Sequence, residues 1–315
     1  MNNQLSPQYS QILQEIGTQL KERKSLLMKR VLLIVWPHIL IAVLGFIGDK
    51  LFDYRSLDEQ TQFWVFCGAI IYIFTAVVYS ILMGFVFNIE KRIWIDSYFD
   101  SRPLTPAESQ RISWGLIWPV FKFRFTLALV YYWIPIGMVM AAVYVGFFIW
   151  GISIGETKTM AMSLVATATV GVFIVPVGLF IYQYWVRVKL RYAWFVFLDH
   201  YGQDYSFSLL KSEIKKLNDI SKTDTFIKSL VVNVGASTAT AVSTLAVRGI
   251  SAGFGMFGDT GKLVGGVTRI YGEELVRQII DLGNIAGQYI LYRFARKQLY
   301  GDEQKVNDIL YRLKD

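Results

Sequence analysis

Cysteine is almost absent. Cys67 stands alone in 315 residues, which excludes an internal disulfide framework and a multi-cysteine metal site. It sits inside an apolar run, where a thiol behaves as a small hydrophobe. Histidine is nearly as scarce, with two residues, and the carboxylates are scattered singly, so no metal-ligand pattern emerges and no cofactor is expected. Charge is thin: 18% of residues are charged, against 54% apolar and 16% aromatic. A water-facing surface needs more charge than that. No long strand-like alternation and no clear repeat is visible.

The missing charge is concentrated in four uncharged windows, Val31–Gly48, Phe63–Phe87, Phe125–Gly155 and Met160–Val186. Each is long enough for a helix to cross about 30 Å of hydrocarbon. Trp36, Trp64, Trp94, Trp150 and Trp185 fall near the expected water boundaries. The expected fold is therefore all-α: a polytopic integral membrane protein with four transmembrane helices, amphipathic interfacial helices and a helical cytoplasmic C-terminal region. The polar first thirty residues do not resemble a cleavable signal, so the first span is expected to be a retained anchor.

Between the windows, Lys and Arg outnumber Asp and Glu five to two in residues 1–30, six to four in 88–124 and eighteen to thirteen in 187–315. The linker 49–63 reverses this, two to four. Positive segments stay inside, so the expected organisation is a cytoplasmic amphipathic helix at 1–30, a membrane hairpin at 31–87, a cytoplasmic loop with an interfacial helix at 88–124, a second hairpin at 125–186 and a cytoplasmic helical region at 187–315. Both termini are expected in the cytoplasm, and the location is the plasma (inner) membrane. The net charge of +8 suits anionic inner-leaflet lipid better than nucleic acid, because no basic stripe alternates with aromatics away from the membrane boundaries. Candidate headgroup contacts are Lys21, Arg23, Lys24, Lys29 and Arg30 before the first span, Lys122 and Arg124 before the third, and Arg187, Lys189 and Arg191 after the fourth.

The clearest local signal is Thr105-Pro106-Ala107-Glu108. A Thr N-cap, Pro at the first helical position and Glu three residues on form a capping-box pattern. Pro119 is expected to bend the helix that follows, and Pro37, Pro135 and Pro176 to kink their spans. Leu209, Leu210, Ile214, Leu217 and Ile220 mark an amphipathic helix, with Lys211, Lys215 and Lys216 on its exposed face. Val267, Ile270, Tyr271, Val276, Ile279 and Ile280 belong to another. Residues 227–258 carry hardly any bulk, and the four-residue spacings Gly235/Ala239/Ser243 and Gly249/Gly253 would let helix backbones approach closely. Three readings are open for this stretch: a tightly packed cytoplasmic helix, a re-entrant or hairpin membrane segment, and an oligomer contact face.

Catalytic motifs fail on inspection. Gly253, Gly255 and Gly258 match a dinucleotide fingerprint in spacing, but an Ala- and Ser-rich stretch precedes them where a strand is required. His200 and Asp204 lack acyltransferase spacing. Asp281-Leu282-Gly283 does not continue into a headgroup-transferase pattern. Within the windows His38 is the only ionisable group apart from Cys67 and tyrosines, which argues against an ion-coupled pump. The expected function is thus non-enzymatic, a membrane-anchored scaffold or complex subunit presenting a helical domain at the cytoplasmic face, with other membrane proteins or a second copy as partner. The alternatives are an oligomeric channel, pore or transporter component, and a lipid-modifying enzyme with His200 and Asp204 as its pair.

Overall fold

The computed structural model describes residues 9–51, 57–99, 104–154, 178–179, 181–183, 185–186, 189–200, 206–220 and 224–301. Every element among them is helical: α1 Tyr9–Leu51, α2 Glu59–Phe99, α3 Pro106–Gly115, α4 Ile117–Ala128, a π-helical turn Leu129–Trp133, α5 Ile134–Ile154, α6 Ala193–Asp199, α7 Phe207–Ile220, α8 Asp224–Gly255 and α9 Gly258–Tyr300. Four stretches are long and apolar enough to cross a membrane: Leu20–Lys50, Glu59–Ser97, Ile117–Ala142 and Ile227–Gly255. The first three contain or overlap the first three windows read from the sequence. The fourth window, 160–186, falls mostly outside the described residues. The fourth apolar helix found here is the small-residue segment instead.

Two boundaries differ from the sequence reading. Residues 9–30 form no separate helix, because α1 continues through them into its apolar stretch without a break. Likewise α2 runs on to Phe99, into what the sequence suggested was loop. Leu27 and Val31 of α1 and Ile89 and Ile93 of α2 are buried, so apolar burial carries the helices past the point where charge begins.

Prolines set the breaks elsewhere. Pro119 cannot donate to the carbonyl of Gly115, and α3 and α4 are separated by the single residue Leu116. Pro135 likewise leaves the Tyr131 carbonyl without its usual partner. The helix widens there into the π turn, with the Ile134 amide donating to Leu129 O, and the Tyr182 hydroxyl donates to Tyr131 O at 2.6 Å. A freed carbonyl in an apolar helix is thereby satisfied by a neighbouring side chain.

The helices form two antiparallel hairpins side by side. In the first, Ser80 of α2 donates to Ile34 O of α1 at 2.8 Å, and Trp36 meets Tyr79 edge-on. In the second, α8 and α9 pack along their length, from Ser229 with Gln288 to Ser251 with Gly265. Its tip is the turn at Met256–Phe257 followed by Gly258 at φ +76, a conformation that glycine adopts without strain. Three glycines of α9 permit the close approach. A Cβ at Gly261 would collide with Phe254 O, one at Gly265 would lie 2.5 Å from Ser251 O, and one at Gly272 would lie 2.9 Å from Val247 Cγ1. Gly261 and Gly265 have the four-residue spacing that brings helix backbones together.

The second hairpin lies along α1. Lys50, at the end of α1, pairs with Asp259 at 2.5 Å beside the tip. At the other end Leu275 and Ile279 of α9 border a small pocket with Leu20, Lys24 and Met28 of α1. The tightly packed core is confined to this second end, which we call the packed end: Phe87–Ile95 of α2, α3, α6, α7 and residues 282–295 of α9 supply most of it. Beyond it the long helices expose large apolar side chains, among them Phe74, Ile81, Trp133, Met138 and Leu245.

Candidate functional site

The packed end holds polar groups that the fold has closed over. Thr105 accepts from the Glu108 amide, and the Glu108 carboxylate accepts from the Thr105 amide at 2.9 Å, a complete capping box that starts α3. This places Ser109 so that it accepts from Trp94 Nε1 at 2.9 Å and donates to Glu90 at 3.1 Å. Trp94 is therefore fully buried in the core and does not lie at a water boundary. Arg30 completes the cluster with a 3.0 Å pair to Glu90 and a hydrogen bond to Gln110. Lys91 donates to Gln278 at 2.7 Å and pairs with Asp281. Asp199 accepts from Tyr292 and Arg296. Burial, then the Asp199 charge, pushes the Tyr292 hydroxyl well above its ordinary value. Tyr192, buried next to it, is pushed up to about 12 by burial.

Several of the expected headgroup cations are thus turned inward. Arg30 is held by Glu90 and Gln110. Arg23 lies over the Trp94 ring at 5.3 Å. Arg124 donates to Asn88 at 3.1 Å and lies over Phe85 and Trp194. Lys21, Lys24, Lys29 and Lys122 remain at the surface. Lys189 is exposed over Trp185 at 3.8 Å, and Arg191 lies over Tyr192 at 4.7 Å. Arg187 lies outside the described residues, as does Asp204. His200 has Nδ1 2.9 Å from Val196 O and Nε2 3.3 Å from Glu213.

Between the two hairpins lies a groove of about 860 Å³. One wall carries His38 of α1 with Ser80, Gly84 and Asn88 of α2. The other carries Asn233, Ser237, Thr240 and Thr244 of α8, then Glu273, Glu274, Arg277, Asp281 and Asn284 of α9. Ser80 Oγ sits 3.2 Å from His38 Nδ1 while its proton goes to Ile34 O. The carboxylates are already engaged: Glu273 by Arg248 at 2.7 Å and Arg269 at 3.2 Å, Glu274 by Arg277 and Gln278, and Asp281 by Lys91. The groove consequently offers hydroxyls, amides and an imidazole, with charge balanced at its edge. Asn284 Oδ1 is buried there without a hydrogen-bond partner among the described residues.

The small-residue stripes point elsewhere. At about 100° per residue, Gly235, Ala239, Gly249 and Gly253 fall on the face of α8 opposite Asn233, Ser237, Thr240 and Thr244. Nothing stands within 4 Å of where a Cβ would be at Gly235, Gly249 or Gly253. Ser243 lies at the edge of this open face and is half-buried, while Ala239 is exposed. Gly235, Gly249 and Gly253 therefore make no close helix contact within the chain; the close approach of α8 and α9 is made at Gly261, Gly265 and Gly272.

The groove was missed at the sequence level although a signal existed. Arg269, Glu273, Arg277 and Asp281 recur every fourth residue with alternating sign, a stripe that usually marks a solvent-facing helix. Here Glu273, Arg277 and Asp281 line the groove and Asp281 pairs across it with Lys91, while Arg269 stays largely exposed. Comparison with protein-family models, with curated proteins and with solved structures gives no match, so function is argued from this geometry.

Proposed function

We propose that the chain is a multi-pass membrane protein of the pore or carrier class that binds a small uncharged or zwitterionic polar solute in the groove between its hairpins. The observation that carries this is the groove itself: about 860 Å³, lined by hydrogen-bonding side chains together with Ile34, Val77 and Ile81, and bordered by α1, α2 and α8, whose outward faces are apolar. Polar residues gathered on the inner face of otherwise apolar helices mark a solute path. The charged stripe of α9 answers the objection drawn from the uncharged windows, since a second hairpin brings its own ionisable groups alongside the first.

In this reading the packed end and both termini face the cytoplasm, as the Lys and Arg excess assigns, and the plasma (inner) membrane surrounds the outward apolar faces. The α8–α9 hairpin crosses beside α1, because Asp259 pairs with the far end of α1 while Leu275 and Ile279 pack near its start. A thiol at position 240 in a Cys67→Ala background should then react with a small hydrophilic reagent. In proteoliposomes tested against a panel of polar solutes, Thr240→Trp should abolish uptake, whereas Val242→Trp, on the exposed face, should leave it intact. Equal loss from both, or no uptake by the unaltered chain, would remove the carrier reading.

A second reading keeps the scaffold. The open face of α8, with Gly235, Ala239, Gly249 and Gly253, suits close contact with another membrane helix, whether a second copy or a partner. Under it Gly235→Leu lowers the assembly mass in mild detergent and leaves the groove accessible.

A further inference from the structure

A second cavity differs in kind from the groove. It measures about 510 Å³ and lies between α4, the turn before α6, and α7, within the roughly 300–1,000 Å³ range of small-molecule pockets. Its floor is apolar: Leu127, Leu190, Phe207, Leu210 and Ile214. Its rim is cationic. Lys189, Arg191, Lys211 and Lys215 line it against a single carboxylate, Asp219. Asn218 donates to Lys189 O at 2.8 Å, which fixes the spacing between the lysine of the turn and the lysines of α7. Arg191 keeps its buried Nε without a hydrogen-bond partner among the described residues.

Its depth is defined by α4. Arg124, one turn before Leu127, is the last charge before the uncharged run that begins at Phe125, and from there the helix exposes Phe125, Leu129 and Val130. Trp185 and Tyr131 also line the pocket, aromatic types suited to the headgroup level. An apolar floor under a cationic rim matches one kind of molecule, with an acyl chain below and an anionic headgroup above.

We infer that this pocket holds a membrane phospholipid with an anionic headgroup, its phosphate at Lys189, Lys211 and Lys215 and an acyl chain against Leu127 and Ile214. The inference rests on the membrane reading above and is separate from the solute groove. Phosphatidylglycerol serves as the probe, with phosphatidylcholine of the same chains as reference. Titrated into the full-length chain in mild detergent and read by native mass spectrometry, phosphatidylglycerol should form a saturable one-to-one adduct that phosphatidylcholine does not. The double variant Lys211→Glu, Lys215→Glu should bind phosphatidylglycerol roughly tenfold more weakly. Lys216→Glu, on the same helix but outside the pocket, should bind it normally.

Equal adducts from the two lipids would overturn the site, and so would an equal loss in Lys216→Glu, since general surface attraction would then explain the preference. Glycerol phosphate competing as well as the intact lipid would overturn the acyl-chain part and leave a simple phosphate site. Leu127→Trp, which fills the floor, should reduce lipid adducts without touching a charge. Alkaline carbonate extraction of the same variants separates two failures: a chain released from membranes defeats the membrane reading itself, whereas a retained chain without lipid preference defeats only the pocket.

Discussion

Helix α2 passes through two regions built on opposite rules. From Phe63 to Leu82 its large side chains are mostly exposed; from Val86 to Asp96 nearly all are buried, with Glu90, Lys91 and Asp96 among them. In the first region the residues carry no charge and face outward, where a bilayer would solvate them. In the second the fold takes charged groups out of water and must supply each with a partner, because an unpaired buried charge is far more costly than a paired one. Arg30 for Glu90, Asp281 for Lys91 and Tyr289 for Asp96 do so. One helix thus presents an uncharged apolar surface over one stretch and is held by directional polar contacts over the next.

The largest expected effect tests the polar rule. Asp199→Ala removes the acceptor shared by Tyr292 and Arg296 and leaves the Arg296 charge, 15% exposed, without its carboxylate. Breaking one side of such a pair costs about 3–5 kcal/mol. Thermal unfolding in detergent should show a large loss for Asp199→Ala and a smaller one for Asp199→Asn. An exposed apolar change in the other region, Ile81→Ala, should barely move the midpoint in detergent. If the order is reversed, the packed end is not what holds the molecule together.

The next contrast compares two sets of glycines. Gly265→Leu forces bulk into the backbone of α8 at Ser251 and should cost about 1–3 kcal/mol as overpacking, with faster proteolysis of the hairpin. Gly249→Leu, on the open face, should leave the monomer's stability unchanged. A matching loss at both positions would mean that the open face is occupied within the chain.

Much of this arrangement was legible in advance where the cause is local. Uncharged windows announce long apolar helices, and four residues announce the start of α3, because an N-cap depends only on its own turn. What could not be read are the pairings. Gly235/Ala239/Ser243 and Gly261/Gly265 have the same spacing, and nothing local says which stripe meets a neighbour. Trp94 has the composition of a boundary residue, and only the presence of Ser109 opposite its indole makes it a core residue. The alternating charges of α9 would suit water equally well; the place of Glu273, Arg277 and Asp281 in the groove follows from α9 lying against α1 and α2, contacts that join residues 187 to 243 positions apart.

A smaller effect is expected at the α3 cap. Thr105→Ala removes the acceptor for the Glu108 amide and should cost about 0.5–2 kcal/mol, read as faster cleavage at Arg111. Because Ser109 is aligned by this turn, the Trp94 fluorescence environment should change with it. An unchanged cleavage rate would show that packing of Ile112 alone fixes the helix start.

The smallest effect belongs to the hairpin tip, at the far end from the packed core. Hydrogen bonding from Lys50, then from Lys262, holds the Asp259 carboxyl below the usual carboxylate range. A carboxyl whose folded value is depressed contributes stability that is present above its unfolded value of about 4 and is lost as pH falls through the folded value. Both partners are about half exposed, so water and salt screen the contact and its contribution is slight. Hydrogen exchange over residues 254–262 at low ionic strength is the appropriate measurement. Protection there should decline on acidification below about pH 4 and decline also in high salt at neutral pH. In Asp259→Asn it should be low at neutral pH and insensitive to both changes. The packed-end amides of residues 282–295 should ignore the salt, because their charge pairs are buried. Salt sensitivity at both ends would show that the packed end is open to water, and the contrast between the two regions would fail.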